Sequence, residues 1–181
     1  MFSRQALVEL TEESHGIQID MMYARADNFT GKVIYPHAKC YLHPAAEVLF
    51  KQAILTAKNF GFRIKVFDAF RSQQAQQALW NCVPDPRYVA DPKIGSNHTR
   101  GVALDITLQN LDGQDLDMGT AVDTMTKASH HFYPDLAAPV LINRMYLMTV
   151  MQEAGFIHHP NEWWHYQLPN ASRFALLEPP V

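Results

Sequence analysis

Between positions 44 and 59 the apolar residues Ala45, Val48, Leu49, Ala53, Ile54 and Ala57 recur at helical spacing. Pro44 suits a first turn and Gly61 follows the end, so the pattern predicts a helix over 44–59. Directly after it Phe62, Ile64 and Val66 alternate with Arg63 and Lys65, the period of a half-buried strand ending near Phe67. Ser72 can cap a Gln- and Ala-rich helix to about Asn81, and Pro84 and Pro86 mark its end. A proline-punctuated loop over 83–95 leads to a second alternating run, Val102, Leu104, Ile106 and Leu108, and then to an Asp112-Gly113 turn able to open a hairpin. Residues 143–154 predict another helix, ended by Gly155, and the aromatic stretch 163–168, stopped by Pro169, predicts a last strand. No repeat, low-complexity tract or long linker interrupts this order. The reading is α+β: one domain over residues 1–181, with a mainly antiparallel sheet and helices packed on it.

Composition narrows the function classes. A chain of 181 residues, 48% hydrophobic and 18% charged, can bury roughly 70% of its unfolded surface and needs no disulfide to hold a core. A net charge of −3 gives no general attraction for phosphate backbones or anionic lipid, which argues against a nucleic-acid or membrane partner. The longest fully apolar stretch, 136–142, is broken by Pro139 and falls far short of the ~20 residues of a membrane span. The first sixteen residues carry Arg4, Glu9, Glu12 and Glu13 without an apolar core, so no cleavable export signal is expected and the protein is placed in the cytoplasm. Cys40 and Cys82 stand alone and are expected as buried free thiols. Phosphate-binding glycine loops are missing, so no nucleotide cofactor is expected.

Two clusters carry candidate chemistry. In the run Ser96-Asn97-His98-Thr99-Arg100-Gly101-Val102-Ala103-Leu104-Asp105, alternation places Asp105 on the strand face opposite Leu104 and Ile106. A carboxylate in so apolar a strand needs a cation, hydrogen-bond donors or a metal. A turn at Gly101 could swing the His98 imidazole back toward it; the simpler alternative pairs Asp105 with Arg100 or another base. Near the C-terminus stands Asn161-Glu162-Trp163-Trp164-His165-Tyr166. A catalytic zinc takes three protein ligands and a water, which His98, Asp105 and His165 would supply, leaving Glu162 as a base for that water. Residues three apart face opposite ways in an ideal strand, so Glu162 is expected in a turn before the strand, set off by Pro160. The alternative is an aromatic edge strand with Glu162 exposed and His165 in the core. His130-His131 and His158-His159 read as structural, and Met145, Tyr146, Met148 and Met151 as core packing.

Read together, these segments resemble the zinc D-alanyl-D-alanine dipeptidase family, which includes the dipeptidases of vancomycin resistance and is related to zinc D,D-carboxypeptidases. Its signature S-x-H-x-x-G-x-A-x-D is met by Ser96, His98, Gly101, Ala103 and Asp105, and E-x-W-H by Glu162, Trp164 and His165. Fainter matches are Tyr23 with Asn28-Phe29-Thr30-Gly31, Asp91-Pro92-Lys93, and Met118-Gly119-Thr120 followed by Asp123. The resemblance implies one Zn2+ per chain held by His98, Asp105 and His165, with Glu162 as catalytic base. Asp68-Ala69-Phe70-Arg71 matches the segment of the family's catalytic arginine, which gives that role to Arg71. Tyr23, Ser96 and Asp123 match positions lining the dipeptide site. Phe70 and Ser72 depart from the Tyr and Pro usual beside that arginine. The implied substrate is a small dipeptide, D-Ala-D-Ala, cleaved to two D-alanines. A D,D-carboxypeptidase acting on peptidoglycan stem peptides and an inactive peptide-binding module are the alternatives.

Overall fold

The computed structural model describes residues 7–180; Arg4 and its neighbours, read above for an export signal, lie outside that range. A five-stranded sheet forms the centre, in the order β2 (Gln18–Ile19), β4 (Arg63–Asp68), β5 (Ala103–Gln109), β7 (Glu162–Gln167) and β6 (Ile157–His159). Only β2 pairs parallel; β4-β5, β5-β7 and β7-β6 are antiparallel. A separate antiparallel pair joins β1 (Val8–Leu10) to β3 (Cys40–Leu42), with the single-turn helix α1 (Glu12–His15) between β1 and β2. Both the α+β class and the largely antiparallel sheet agree with the reading from sequence.

Helix α2 (Pro44–Asn59) has the predicted limits, and helix α3 (Gln73–Cys82) starts at Ser72, whose hydroxyl accepts from the Ala75 N–H at 3.2 Å. Helix α4 (Ala138–Glu153) starts five residues earlier than its apolar pattern suggested. Pro139 sits in its first turn, where a missing N–H removes no helical hydrogen bond. Helices α2 and α4 pack on each other and reach β4 and β6 respectively. Phe50, Ala53, Leu147, Val150 and Met151 there join Ile64, Val66, Leu104, Ile106 and Leu108 of the sheet in the core.

Strand β5 alternates apolar and polar residues, yet all seven of its residues are buried. It lies between β4 and β7 with helices over one face and loops over the other, so even its polar side chains are withdrawn from water. The Asp112-Gly113 turn does open a hairpin, with Gln109 bridging to Asp115. His158 and His159 belong to an edge strand, β6, that the hydrophobic pattern did not announce: a run of three residues is too short to show a period. Cys82 is exposed, not buried, and only Cys40 lies in the core; both are free thiols. Met145 and Tyr146 are likewise exposed on α4, leaving Met151 as the buried methionine of that group. Among the described residues no helix is long and apolar enough to cross a membrane.

Candidate active site

Strand register puts three acidic and imidazole side chains in one row: Asp68 of β4 pairs with Asp105 of β5, and Asp105 pairs with His165 of β7. His98 enters from the turn before β5. Gly101 makes that turn at φ +68, and a Cβ there would meet the His43 backbone nitrogen at 3.0 Å. Both the left-handed backbone and the close approach require glycine. The result is a compact triangle. His98 Nε2 lies 3.2 Å from His165 Nδ1 and 3.4 Å from Asp105 Oδ2, while His165 Nδ1 lies 3.1 Å from Asp105 Oδ1.

These spacings match a tetrahedral ion: bonds of about 2.0–2.1 Å give donor–donor edges of about 3.3 Å. The tautomers point the same way. His98 Nδ1 donates to the Ala69 carbonyl at 2.7 Å, and His165 Nε2 donates to Gln167 Oε1 at 3.0 Å. Each ring therefore turns its lone pair toward the other, and two lone pairs at 3.2 Å repel unless a cation stands between them. Such outer hydrogen bonds are how metal-ligating imidazoles are oriented. His98, Asp105 and His165 are the one group of three potential ligands that converges among the described residues, and all three are buried. Their chemistry fits a single zinc-like ion.

Glu162 also reaches this cluster, Oε2 lying 3.7 Å from His165 Nδ1. It begins β7 instead of preceding it, because the strand pairing is irregular. His158 faces Tyr166 but the next residue, His159, faces Glu162, so residues 163–165 have no partner in β6. A break of this kind re-aims side chains and lets residues three apart converge. Burial, then the charges of Asp105 and Asp123, push the Glu162 carboxyl well above the usual carboxylate range.

Arg71 lies just past β4, clamped on several sides. Its Nε donates to Asp68 Oδ2 at 2.9 Å, Nη1 donates to Gln76 Oε1 at 3.0 Å, and Nη2 lies 3.7 Å from Asp105 Oδ2. The guanidinium also stacks 5.1 Å from the centre of the Tyr23 ring. Asp68 is fully buried and accepts from the Tyr35 hydroxyl at 2.6 Å through its other oxygen. Asp68 and Arg71 thus form a buried ion pair, and it positions Arg71 at the cavity.

A small cavity of about 120 Å³ opens beside the triangle, and Tyr23, Arg71, Ser96, Asp123 and Glu162 line it with His98, Asp105 and His165. Every site residue nominated from sequence therefore meets here. The Tyr23 hydroxyl donates to Asp123 Oδ2 at 2.6 Å, and Asp123 holds a left-handed backbone at φ +59. A non-glycine residue pays strain there, a frequent mark of functional sites. Burial and the charge of Asp105 raise its carboxyl to about 7. Ser96 Oγ accepts from the His98 N–H at 3.2 Å. Sequence reasoning missed the supports: Gln76, Gln167 and Tyr35 belong to no motif it recognised. The alternation of β7 gave a partial signal for Gln167, two residues beyond His165 and so on the same face.

A buried His-Asp-His triangle at two central strands and the turn that leads into one of them, with a buried carboxyl beside it and a small polar cavity in front, defines a zinc metallopeptidase. The chain belongs to the D-ala-D-ala dipeptidase family, whose model matches residues 3–178. It is 42% identical over 171 residues to the D-alanyl-D-alanine dipeptidase of Escherichia coli, covering 94% of this chain and 89% of that one. The D-alanyl-D-alanine dipeptidase of Enterococcus faecalis is 30% identical over 180 residues, covering 88% and 89% of the two chains. That of Streptomyces coelicolor is 33% identical over 174 residues, covering 84% and 86%.

Proposed function

We propose that this chain hydrolyses free D-alanyl-D-alanine to two D-alanines, with residues 1–181 acting as one catalytic unit and one Zn2+ held by His98, Asp105 and His165. The observation that carries this reading is the lone-pair triangle, whose 3.1–3.4 Å edges suit one small divalent ion. Such an ion, when bound, polarises the scissile carbonyl and acidifies a water. Everything else falls to the protein. Glu162 Oε2 takes the proton of the attacking water and returns it to the departing amine, a role suited to a carboxyl whose surroundings raise its proton affinity. Burial disfavours charge on Arg71, but the Asp68 carboxylate outweighs it and keeps the guanidinium firmly cationic. Arg71 thereby faces the negative charge developing on the carbonyl oxygen. Asp123, aimed by Tyr23, pairs with the substrate ammonium, and Ser96 contributes to holding its terminal carboxylate.

The small cavity favours a free dipeptide over a longer stem peptide, and a soluble dipeptide suits the cytoplasmic placement read from the sequence. The test is direct: zinc-loaded protein is given D-Ala-D-Ala and, in parallel, an N-acylated peptide ending in D-Ala-D-Ala, and released D-alanine is measured. Release from the free dipeptide alone is expected. Release from the acylated peptide would favour the carboxypeptidase, and silence on both with zinc bound would leave only the binding module.

A further inference from the structure

The cavity wall formed by residues 118–130 is held in an unusual way. This segment carries Asp123 at its middle and is compact, with its ends close together, in the manner of an Ω-loop. Arg144, in α4, is only 1% exposed, yet all four of its hydrogen bonds go to backbone carbonyls. Nε and Nη2 donate to Met118 O at 2.9 and 2.6 Å, Nη2 also to Ala128 O at 2.8 Å, and Nη1 to His130 O at 2.7 Å. One guanidinium thus ties the two ends of the loop to each other and to the helix. Burial draws it down to about 10, so it stays cationic at neutral pH. Hydrogen bonds to a charged donor are stronger than neutral ones.

Neighbouring contacts reinforce the clasp. Asn143 Nδ2 donates to Asp117 O at 2.9 Å, just before the loop. Gly119, at φ +80, lies so close to α4 that a Cβ there would meet Val140 Cγ1 at 2.8 Å. Inside the loop Ser129 Oγ donates to Thr124 O and lies 3.0 Å from Thr120 Oγ1, which also accepts from the Trp163 indole at 2.9 Å. Trp163 follows Glu162 directly, so the loop is braced at one point against the strand that bears the base.

We infer that Arg144 is a positioning residue for substrate selection: by clasping the neck of the 118–130 loop it fixes Asp123 where it meets the substrate ammonium. This deepens the proposed function and rests on it. Arginine suits the task because its planar fork serves several carbonyls at once, whereas lysine, with three donors at one point, cannot span both ends of the loop.

The experiment compares the zinc-loaded protein with Arg144→Lys and Gly119→Ala, each checked for full zinc content and folding, in two assays. Steady-state kinetics on D-Ala-D-Ala should show KM raised about tenfold or more with kcat changed much less, since the ion, Glu162 and Arg71 stay in place. Hydrogen exchange should speed up over 118–130 while β5 and β7 keep their protection. Gly119→Ala perturbs the same junction while keeping the arginine, since its Cβ would meet Val140 and Leu136 first and Arg144 Nη2 only at 3.7 Å, so the test survives if Arg144→Lys does not fold. Unchanged exchange, unchanged KM, or equal losses in kcat and KM would overturn the proposal. Wild-type protein inert toward the dipeptide would instead refute the proposed function, and exchange alone would then decide whether Arg144 holds the loop.

Discussion

Asp68→Asn is the substitution that most sharply separates a catalytic from a merely structural reading of the Arg71 corner. The amide keeps the carboxylate's shape but not its charge. Its oxygen can still accept from Arg71, and its NH2 can face the Tyr35 hydroxyl, which is free to turn and accept. Both contacts are therefore kept, although the Tyr35 proton must find another acceptor. What disappears is the charge that compensates a buried guanidinium. Breaking a buried ion pair from one side costs about 3–5 kcal/mol; Gln76 at 3.0 Å and Asp105 at 3.7 Å remain to Arg71, so about 3 kcal/mol is expected. That is a large part of a typical stability of 5–15 kcal/mol, readable as a lower urea midpoint with unchanged slope. Freed of Asp68, Arg71 is drawn onto Asp105 and out of the position in which it faces the substrate carbonyl, and turnover should fall about 10²–10³-fold, the usual cost of one oxyanion donor. Asp68→Asn combined with Arg71→Lys should slow turnover no more than the worse single variant, because both remove one unit. A folded Asp68→Asn protein with normal kcat would refute the reasoning, as would fully multiplicative losses in the pair.

Other expectations follow from the same geometry. Glu162→Gln should retain one equivalent of zinc and lose about 10²–10⁴ in kcat, the range of general acid–base catalysis; parallel loss of metal would reassign Glu162 as a ligand. Gln167→Leu removes the acceptor that orients His165 and should weaken metal affinity about 10–100-fold in competition with a chelator, with the fold intact. His131 is buried against Tyr166, and burial, then His158 and Arg144, lower it from 6.5 to about 3. Between those values the unfolded chain binds the extra proton, so stability is complete above pH 6.5 and falls on acidification by up to about 1.4 kcal/mol per pH unit. Denaturation across that window should show the slope, and His131→Gln should flatten it.

The sequence made legible whatever has a period or a motif. Helix α2 shows both its stripe and its punctuation, and the His98–Asp105 and Glu162–His165 signatures name the centre of the site. It left hidden what depends on two strands meeting. Residues 157–159 carry no alternation, so β6 could not be seen, and without β6 the pairing break that turns Glu162 toward His165 was out of reach. The turn expected before the strand is there at 160–161, but Glu162 is the first residue after it, and its reach comes from the pairing break. Arg144 was silent for a related reason: it sits in an apolar helix and answers carbonyls, which are present at every residue and therefore mark none.

The row Asp68, Asp105 and His165 crosses three neighbouring strands at matched positions. Side chains alternate along a strand, so a slip of β5 by one residue would put Leu104 or Ile106 into the row and turn Asp105 into the oily side of the sheet. The same error ruins the core and the chemistry together. A chain that pairs wrongly is then not a slow enzyme but no enzyme, and molecules of intermediate quality are scarce. Specific activity of a zinc-saturated preparation accordingly counts correctly paired molecules, and a batch with half the expected activity holds half its chains out of register rather than all of them slightly impaired.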